Sequence, residues 1–485
     1  MSPARRLLPW TPALLALGLI LAGAPAISPD GVEMAAAGRC LWRLLGNPDA
    51  CVGLEPTYWP PAFPLVSGLL SLGMDPARAA LVVSLGCASA LAWPLGRLAE
   101  RLGGAAAALA VAPLLLAVPA LRVHALMGEA RPMALVALAG AWAVALEGEG
   151  RRAGLIAGAL LGLAALTRPE ALAFAGLALL WIAWARRGQL LGAVLAFAGL
   201  FLPMVAALSL LAGRLVVSSR GWQSAAYGWL PWMPLEWAQM ELANGSWGTP
   251  LRAALSTAAP GGAPPPTGEA LVDWLAFALP ASAPWWLLGL ALLGAPRARG
   301  AWLPLAALGG PALALAWMPQ ARDAVLPANN LLPLLAALVV LAAVGLGRLA
   351  RWRFGLPVGL AAALGLGFVT AFPEPPREPA LFETALEALA RDVPEDATVA
   401  AGLSTAPLVL RADRGRRRLP PPWLAPGWVD SPERADFLLL SHLDQPGAGR
   451  SLAALDGALR LRWQLVDEAG WVALYAVQSP VGTSR

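Results

Sequence analysis

Residues 151–187 read RRAGLIAGALLGLAALTRPEALAFAGLALLWIAWARR. Two arginines precede a small and apolar run to Thr167, the polar break Arg168-Pro169-Glu170 interrupts it, and a second apolar run ends at Arg186-Arg187. A helix crosses the hydrocarbon core with roughly 20 apolar residues, shorter spans being tolerated, and paired arginines mark cytoplasmic ends. The stretch therefore reads as a membrane hairpin, with both ends inside and a Pro-broken turn outside.

Working outward, the same grammar covers most of the chain. Of 485 residues, 58% are hydrophobic and 13% charged, against about 25% charged in an ordinary globular protein. The scarcity lies before Pro373, a stretch that carries only 15 of the 30 acids. Every cationic side chain is arginine, which reads as codon bias before it reads as function. The net charge of +5 does not indicate a nucleic-acid partner, because the arginines sit in pairs between apolar runs.

Candidate spans fall near 11–27, 77–95, 104–121, 133–146, 153–167, 170–185, 189–211, 271–293, 301–318, 329–347 and 356–372, with Phe63–Leu72 a half-helix or re-entrant piece. An N-terminus inside puts Arg5/Arg6, Arg97/Arg101, Arg151/Arg152, Arg186/Arg187, Arg297/Arg299 and Arg348/Arg351/Arg353 in short cytoplasmic segments, as the positive-inside bias requires. The longer segments 28–76, 212–270 and 373–485 then lie outside. The expected class is an α-helical polytopic inner-membrane protein of about eleven spans. Arg5, Arg6 and Ala24-Pro25-Ala26 also fit a cleavable signal peptide; retention is the preferred reading, because the residues just beyond belong to the candidate site.

The outer segments differ in character. In the first loop Met34–Leu45 can lie as an interfacial amphipathic helix, and Cys40 and Cys51 can bridge in an oxidising compartment. Loop 212–270 holds Trp222, Tyr227, Trp229, Trp232, Trp237 and Trp247; an aromatic belt at the headgroups explains most of them. A membrane domain is thus expected over 1–372, a Pro-rich linker over 373–379 and a soluble α/β or α+β domain over 380–485. In the last, Phe382–Ala390 reads as a helix, and Thr398–Leu403, Phe437–Ser441, Leu459–Val466 and Trp471–Val477 read as strands.

Charged groups at membrane depth are costly and tend to be functional. Four sets fall on the outer face: Asp30 in Ser28-Pro29-Asp30-Gly31, with Glu33 beyond it; His124, Glu129 and Arg131 in the second outer loop; Arg168 and Glu170 at the hairpin turn; and Arg322-Asp323 before the tenth span. Taken singly each has an ordinary explanation: a helix cap for Asp30, a solvated loop pair for Glu129 and Arg131, a local ion pair for Arg168 and Glu170. Their shared face permits one cavity.

An acid just after the first helix, an amphipathic segment, then Tyr58-Trp59-Pro60-Pro61-Ala62-Phe63-Pro64-Leu65, and the stretch Gly158–Glu170, GALLGLAALTRPE, resemble the GT-C membrane glycosyltransferases. The likeness is to the group of bacterial protein mannosyltransferases and aminoarabinose transferases. The resemblance implies a polyprenyl-phosphate-linked sugar as donor, inverting transfer at the outer face, and a lipid, glycan or protein acceptor. By motif position Asp30 would be the general base, Glu129 would bind acceptor or metal, and Arg168 and Arg322 would hold the lipid phosphate, with Tyr58 part of the same surroundings. Two features depart from the family pattern. The second acid is Glu33 rather than a neighbour of Asp30, which leaves a weak donor set for a divalent metal, and the late Arg motif reads Arg322-Asp-Ala-Val-Leu-Pro327. A transporter or flippase of lipid-linked glycans and a non-catalytic assembly protein are the alternatives; the absence of an internal repeat counts against the first.

Overall fold

The computed structural model describes residues 8–22, 28–44, 59–168, 170–212, 284–295, 325–350, 355–369, 380–394, 397–401, 406–412, 417–419, 435–441, 459–467 and 470–477. The aromatic loop 212–270 beyond its first residue, the span expected at 301–318 and the linker 373–379 lie outside these. The described helices before residue 370 are α1 (Thr11–Ala22), α2 (Pro29–Leu44), α3 (Ala62–Ser71), α4 (Pro76–Ala90), α5 (Ala92–Gly103), α6 (Ala105–Ala117), α7 (Pro119–Leu126), α8 (Arg131–Glu147), α9 (Gly150–Thr167), α10 (Ala171–Ala185), α11 (Arg187–Ala212), α12 (Trp285–Gly294), α13 (Val325–Leu349) and α14 (Gly355–Val369).

Among the described residues, three helical stretches are long and apolar enough to cross a membrane: Pro76–Gly103, Arg187–Leu210 and Leu332–Leu349. The pair α6 and α7 makes a fourth if its 70° bend is taken as one broken span. Shorter apolar helices surround them, including α1, α3, α10, α12 and α14. The protein is a mostly helical membrane protein. Its apolar core joins α1 and α4–α11 to α12, α13 and α14 through residues such as Leu95, Leu114, Trp142, Leu161, Ile182 and Leu335.

Proline and glycine set the breaks that matter for function. The extended backbone of Val118 before Pro119 makes the α6–α7 bend, since a residue preceding proline disfavours the helical region. Arg168 is likewise extended, at φ −148° and ψ 132°, so α9 ends where Pro169 follows. Gly128 turns the chain at φ +71°, a conformation glycine adopts without a Cβ penalty. Pro76 and Pro132 stand in the first turns of α4 and α8, where a missing N–H costs nothing.

The helix expected to lie at the membrane interface behaves differently. α2 begins earlier, at Pro29, and is wrapped by protein: of residues 30–40, only Asp30 and Glu33 are not buried. Gly38 and Gly68 allow this, because a Cβ on either would overlap backbone of the other helix at the α2–α3 crossing. The Trp42 indole N–H also donates to the Leu65 carbonyl at 2.7 Å.

Beyond residue 380, α15 (Ala380–Asp392) and α16 (Ala406–Ala412) accompany β1 (Thr398–Ala401), β2 (Arg417–Leu419), β3 (Phe437–Ser441), β4 (Leu459–Asp467) and β5 (Gly470–Val477). The sheet order is β2-β1-β3-β5-β4; β1 pairs in parallel with β2 and β3, and β5 runs antiparallel to β3 and β4. Leu381, Phe382, Ala385 and Leu389 of α15 cover one sheet face through Val399, Leu439 and Leu474. The α16 helix and the short β2 are not among the elements expected from the sequence.

Candidate active site

The α6–α7 bend and the Gly128 turn deliver three of the candidate groups to one point. His124 lies in the last turn of α7, Glu129 just before α8, and Arg131 opens α8. Glu129 is buried at 5% exposure. Its Oε2 faces the Arg131 guanidinium and lies 3.2 Å from His124 Nδ1, and its Oε1 accepts from Ser28 Oγ at 3.3 Å. A carboxylate so deep requires this company, because a buried charge is tolerated only when paired and hydrogen-bonded. Solvated, as the sequence allows, this pair is not.

Ser28 also ties Asp30 to the cluster. The Ser28 backbone N–H donates to the Met127 carbonyl at 3.0 Å, and Gly31 meets Gly128 so closely that a Cβ would overlap its carbonyl oxygen. The start of α2 is thus fastened to the Glu129 turn on both sides of Asp30. Asp30 and Glu33, at i and i+3, share a helix face and are the half-open residues of an otherwise buried segment.

Arg168 and Glu170 arrive from the α9–α10 turn. The Arg168 guanidinium binds Glu170, Nε lying 2.8 Å from Oε1. The Arg168–Glu170 pair is partly buried, its side chains 27% and 19% exposed. Together Arg131, Arg168 and Glu170 form the polar end of a narrow, half-open groove. Its other walls are Ala134, Leu135 and Leu138 of α8, Ala171 and Phe174 of α10, and Leu332 and Pro333 of α13.

The opposite end of α8 has its own basic set. Arg97 binds Glu147 at 2.6 Å, and Arg101 and Arg186 both donate to the Leu146 carbonyl. α8 has 17 residues, about 25 Å at 1.5 Å per residue, so the groove and this arginine set are separated by most of a hydrocarbon core.

Tyr58, Arg322 and Cys51 lie outside the described residues. Cys40 is disulfide-bonded, and Cys87 is free. The sequence reading missed Ser28, although it stands in the quoted Ser28–Gly31 motif, and missed the groove-lining Phe174 and Leu332, which read only as span residues. A divalent metal does not fit at Glu129, where both carboxylate oxygens are engaged and the Arg131 guanidinium stands against them. Among the described residues there is no cluster of three His, Cys, Asp or Glu side chains suited to a metal ion.

Against solved structures, the chain matches the Archaeoglobus fulgidus oligosaccharyltransferase in its apo form at TM-score 0.55 and 12% identity, over 97% of this chain and 74% of that one. The same enzyme tethered to an acceptor peptide matches at 0.54 and 10% identity, over 98% and 74%. The chain resembles the GT-C membrane glycosyltransferases in fold. ArnT from Cupriavidus metallidurans aligns over 99% of this chain and 100% of that one, at 17% identity and TM-score 0.49. No protein-family model and no curated protein matches the chain.

Proposed function

We propose that the protein is an inverting glycosyltransferase that moves a sugar from a polyprenyl-phosphate donor to a lipid, glycan or protein acceptor at the extracytoplasmic face of a bacterial inner membrane. The observation that carries this reading is the groove: Arg131, Arg168 and Glu170 at one end, apolar walls from α8, α10 and α13 along the rest. Guanidinium groups match phosphate oxygens, and the walls suit a hydrocarbon tail. That is the chemistry of a phosphate on a prenyl chain. The fold shared with an oligosaccharyltransferase supports the same kind of reaction.

In this reading Asp30 takes the proton of the acceptor hydroxyl or amide while the acceptor atom attacks the anomeric carbon. The bond from that carbon to the phosphate oxygen breaks on the opposite side, inverting the centre. The departing lipid phosphate keeps the electron pair, and Arg168 stabilises its charge, joined by Arg322 in the segment just before α13. Glu129 holds the acceptor side of the site through its links to Ser28 and the start of α2, and no metal step is invoked. The spans, the inside N-terminus and the outer position of residues 380–485 belong to this same proposal, supported by the paired arginines of the inner segments.

The test is transfer of labelled sugar from polyprenyl-phosphate donors to membrane acceptors by purified protein, with Asp30→Asn beside wild type. Asp30→Asn should abolish transfer and leave donor binding intact. Transfer that survives it removes Asp30 as base, and donor binding without transfer in wild type favours a transport or assembly role.

A further inference from the structure

The last described helix of the soluble part, α16, packs on the helix that carries Asp30. Leu410 of α16 is buried with Val32 and Ala36 of α2 and Ala77 of α4, so α16 covers the face of α2 that begins two residues after Asp30. Its carbonyl accepts from the Arg39 guanidinium at 3.2 Å, and Arg39 is itself buried at 7% exposure. The next residue, Arg411, is held between two carboxylates: Nε lies 3.2 Å from Asp75 Oδ2 and Nη2 2.8 Å from Glu383 Oε1 of α15.

Asp75 has two duties here. Its Oδ1 caps α4 by accepting from the Ala77 and Arg78 backbone N–H groups at 2.7 and 3.3 Å, and its Oδ2 takes Arg411. One carboxylate thus fixes the start of a membrane helix and the soluble part to the same point. Across α2, Met34, Ala35 and Ala37 pack with Trp59, Ala62 and Phe63 around α3, and Ser71 Oγ donates to the Ala35 carbonyl. α2 is therefore gripped from two sides, while Gly31 rests on the Glu129 turn. What stays half-open is the Asp30–Glu33 face.

A buried arginine between carboxylates adds little net stability over an apolar replacement, and its best-attested use is to fix register. We propose that Arg411 is a positioning residue for glycosyl transfer: through α16 it sets the tilt of α2 and so the place of Asp30. This rests on the transferase reading above. The soluble part is, in this view, a working wall of the site.

The experiment uses the full chain in nanodiscs, with a Cys87→Ala background and nitroxide labels at Arg43→Cys of α2 and Glu387→Cys of α15, both exposed in the native protein. Arg411→Ala should lower kcat for transfer about tenfold to a hundredfold, the range that small displacements of a catalytic group produce. Donor KM should stay within about twofold, well inside one such step, and the nitroxide distance distribution should broaden. Arg411→Lys should restore most of kcat and the narrow distribution. Glu383→Gln, which removes an exposed partner and leaves the α4 cap untouched, gives a milder form of the same effects should Arg411→Ala fold poorly. An unchanged kcat in Arg411→Ala, a distribution that stays narrow, or a donor KM that rises as much as kcat falls would each overturn the brace. Wild-type protein that shows a narrow distribution and transfers no sugar from any donor overturns instead the transferase reading, and with it the catalytic role given to Arg411.

Discussion

Glu129→Gln keeps the shape of the side chain and removes the charge facing Arg131 and His124. The size of the effect depends on depth. An exposed ion pair is worth about 0–1 kcal/mol, whereas removing one partner of a buried pair costs about 3–5 kcal/mol, because the other charge is stranded. Here the side chains of Arg131 and Glu129 are 11% and 7% exposed, so the buried case applies. Arg131→Met alone should cost a similar amount, leaving Glu129 with His124 and Ser28. The double variant, with neither charge left to strand, should lose clearly less than the sum. A coupling energy of about 2 kcal/mol is expected, within the range found for contacting residues. Equilibrium unfolding in mixed detergent and SDS micelles, followed by tryptophan fluorescence, measures all four corners of the cycle. Single variants that add to the double within about 0.5 kcal/mol would refute the buried pair and return Glu129 and Arg131 to the solvated loop. The double variant also separates fold from function: recovered stability with lost transfer gives Glu129 a role in the reaction as well as in packing.

Gly31→Ala should destabilise by about 1–3 kcal/mol, the usual cost of overpacking, because the new Cβ has only the Gly128 carbonyl to displace. Gly86→Ala in α4, with nothing within 4 Å, is the control and should be neutral or stabilising by up to about 1 kcal/mol; equal thermal shifts for the two would sink the close approach.

Much of this could be read before any coordinates, and the reason is physical. Hydrocarbon enforces long apolar runs, so the two halves of residues 151–187 read as helices in one line, and α9 and α10 fall at 150–167 and 171–185. Short apolar and aromatic runs marked β3, β4 and β5 almost to the residue, with alternation visible only in β4. The candidate charged groups were equally legible, because charge in an apolar chain stands out. Their partners were not. Whether Glu129 is solvated or buried depends on a bend at Pro119 and a turn at Gly128 that fold the loop back under α2, and single-residue reading has no term for that. The burial of α2 was misjudged for a related reason: its charges suggested a helix lying at the water boundary, yet Arg39 is satisfied by a carbonyl 371 residues away. Arg411 is the extreme case. In sequence it is one arginine in a soluble segment rich in them; only the meeting of Asp75 and Glu383 around its guanidinium distinguishes it. Local grammar thus named the candidate residues, and long-range contacts determine how rigidly the start of α2, with Asp30, is held. The proposed transfer would need both, because a base that drifts by an ångström from its acceptor loses most of its advantage.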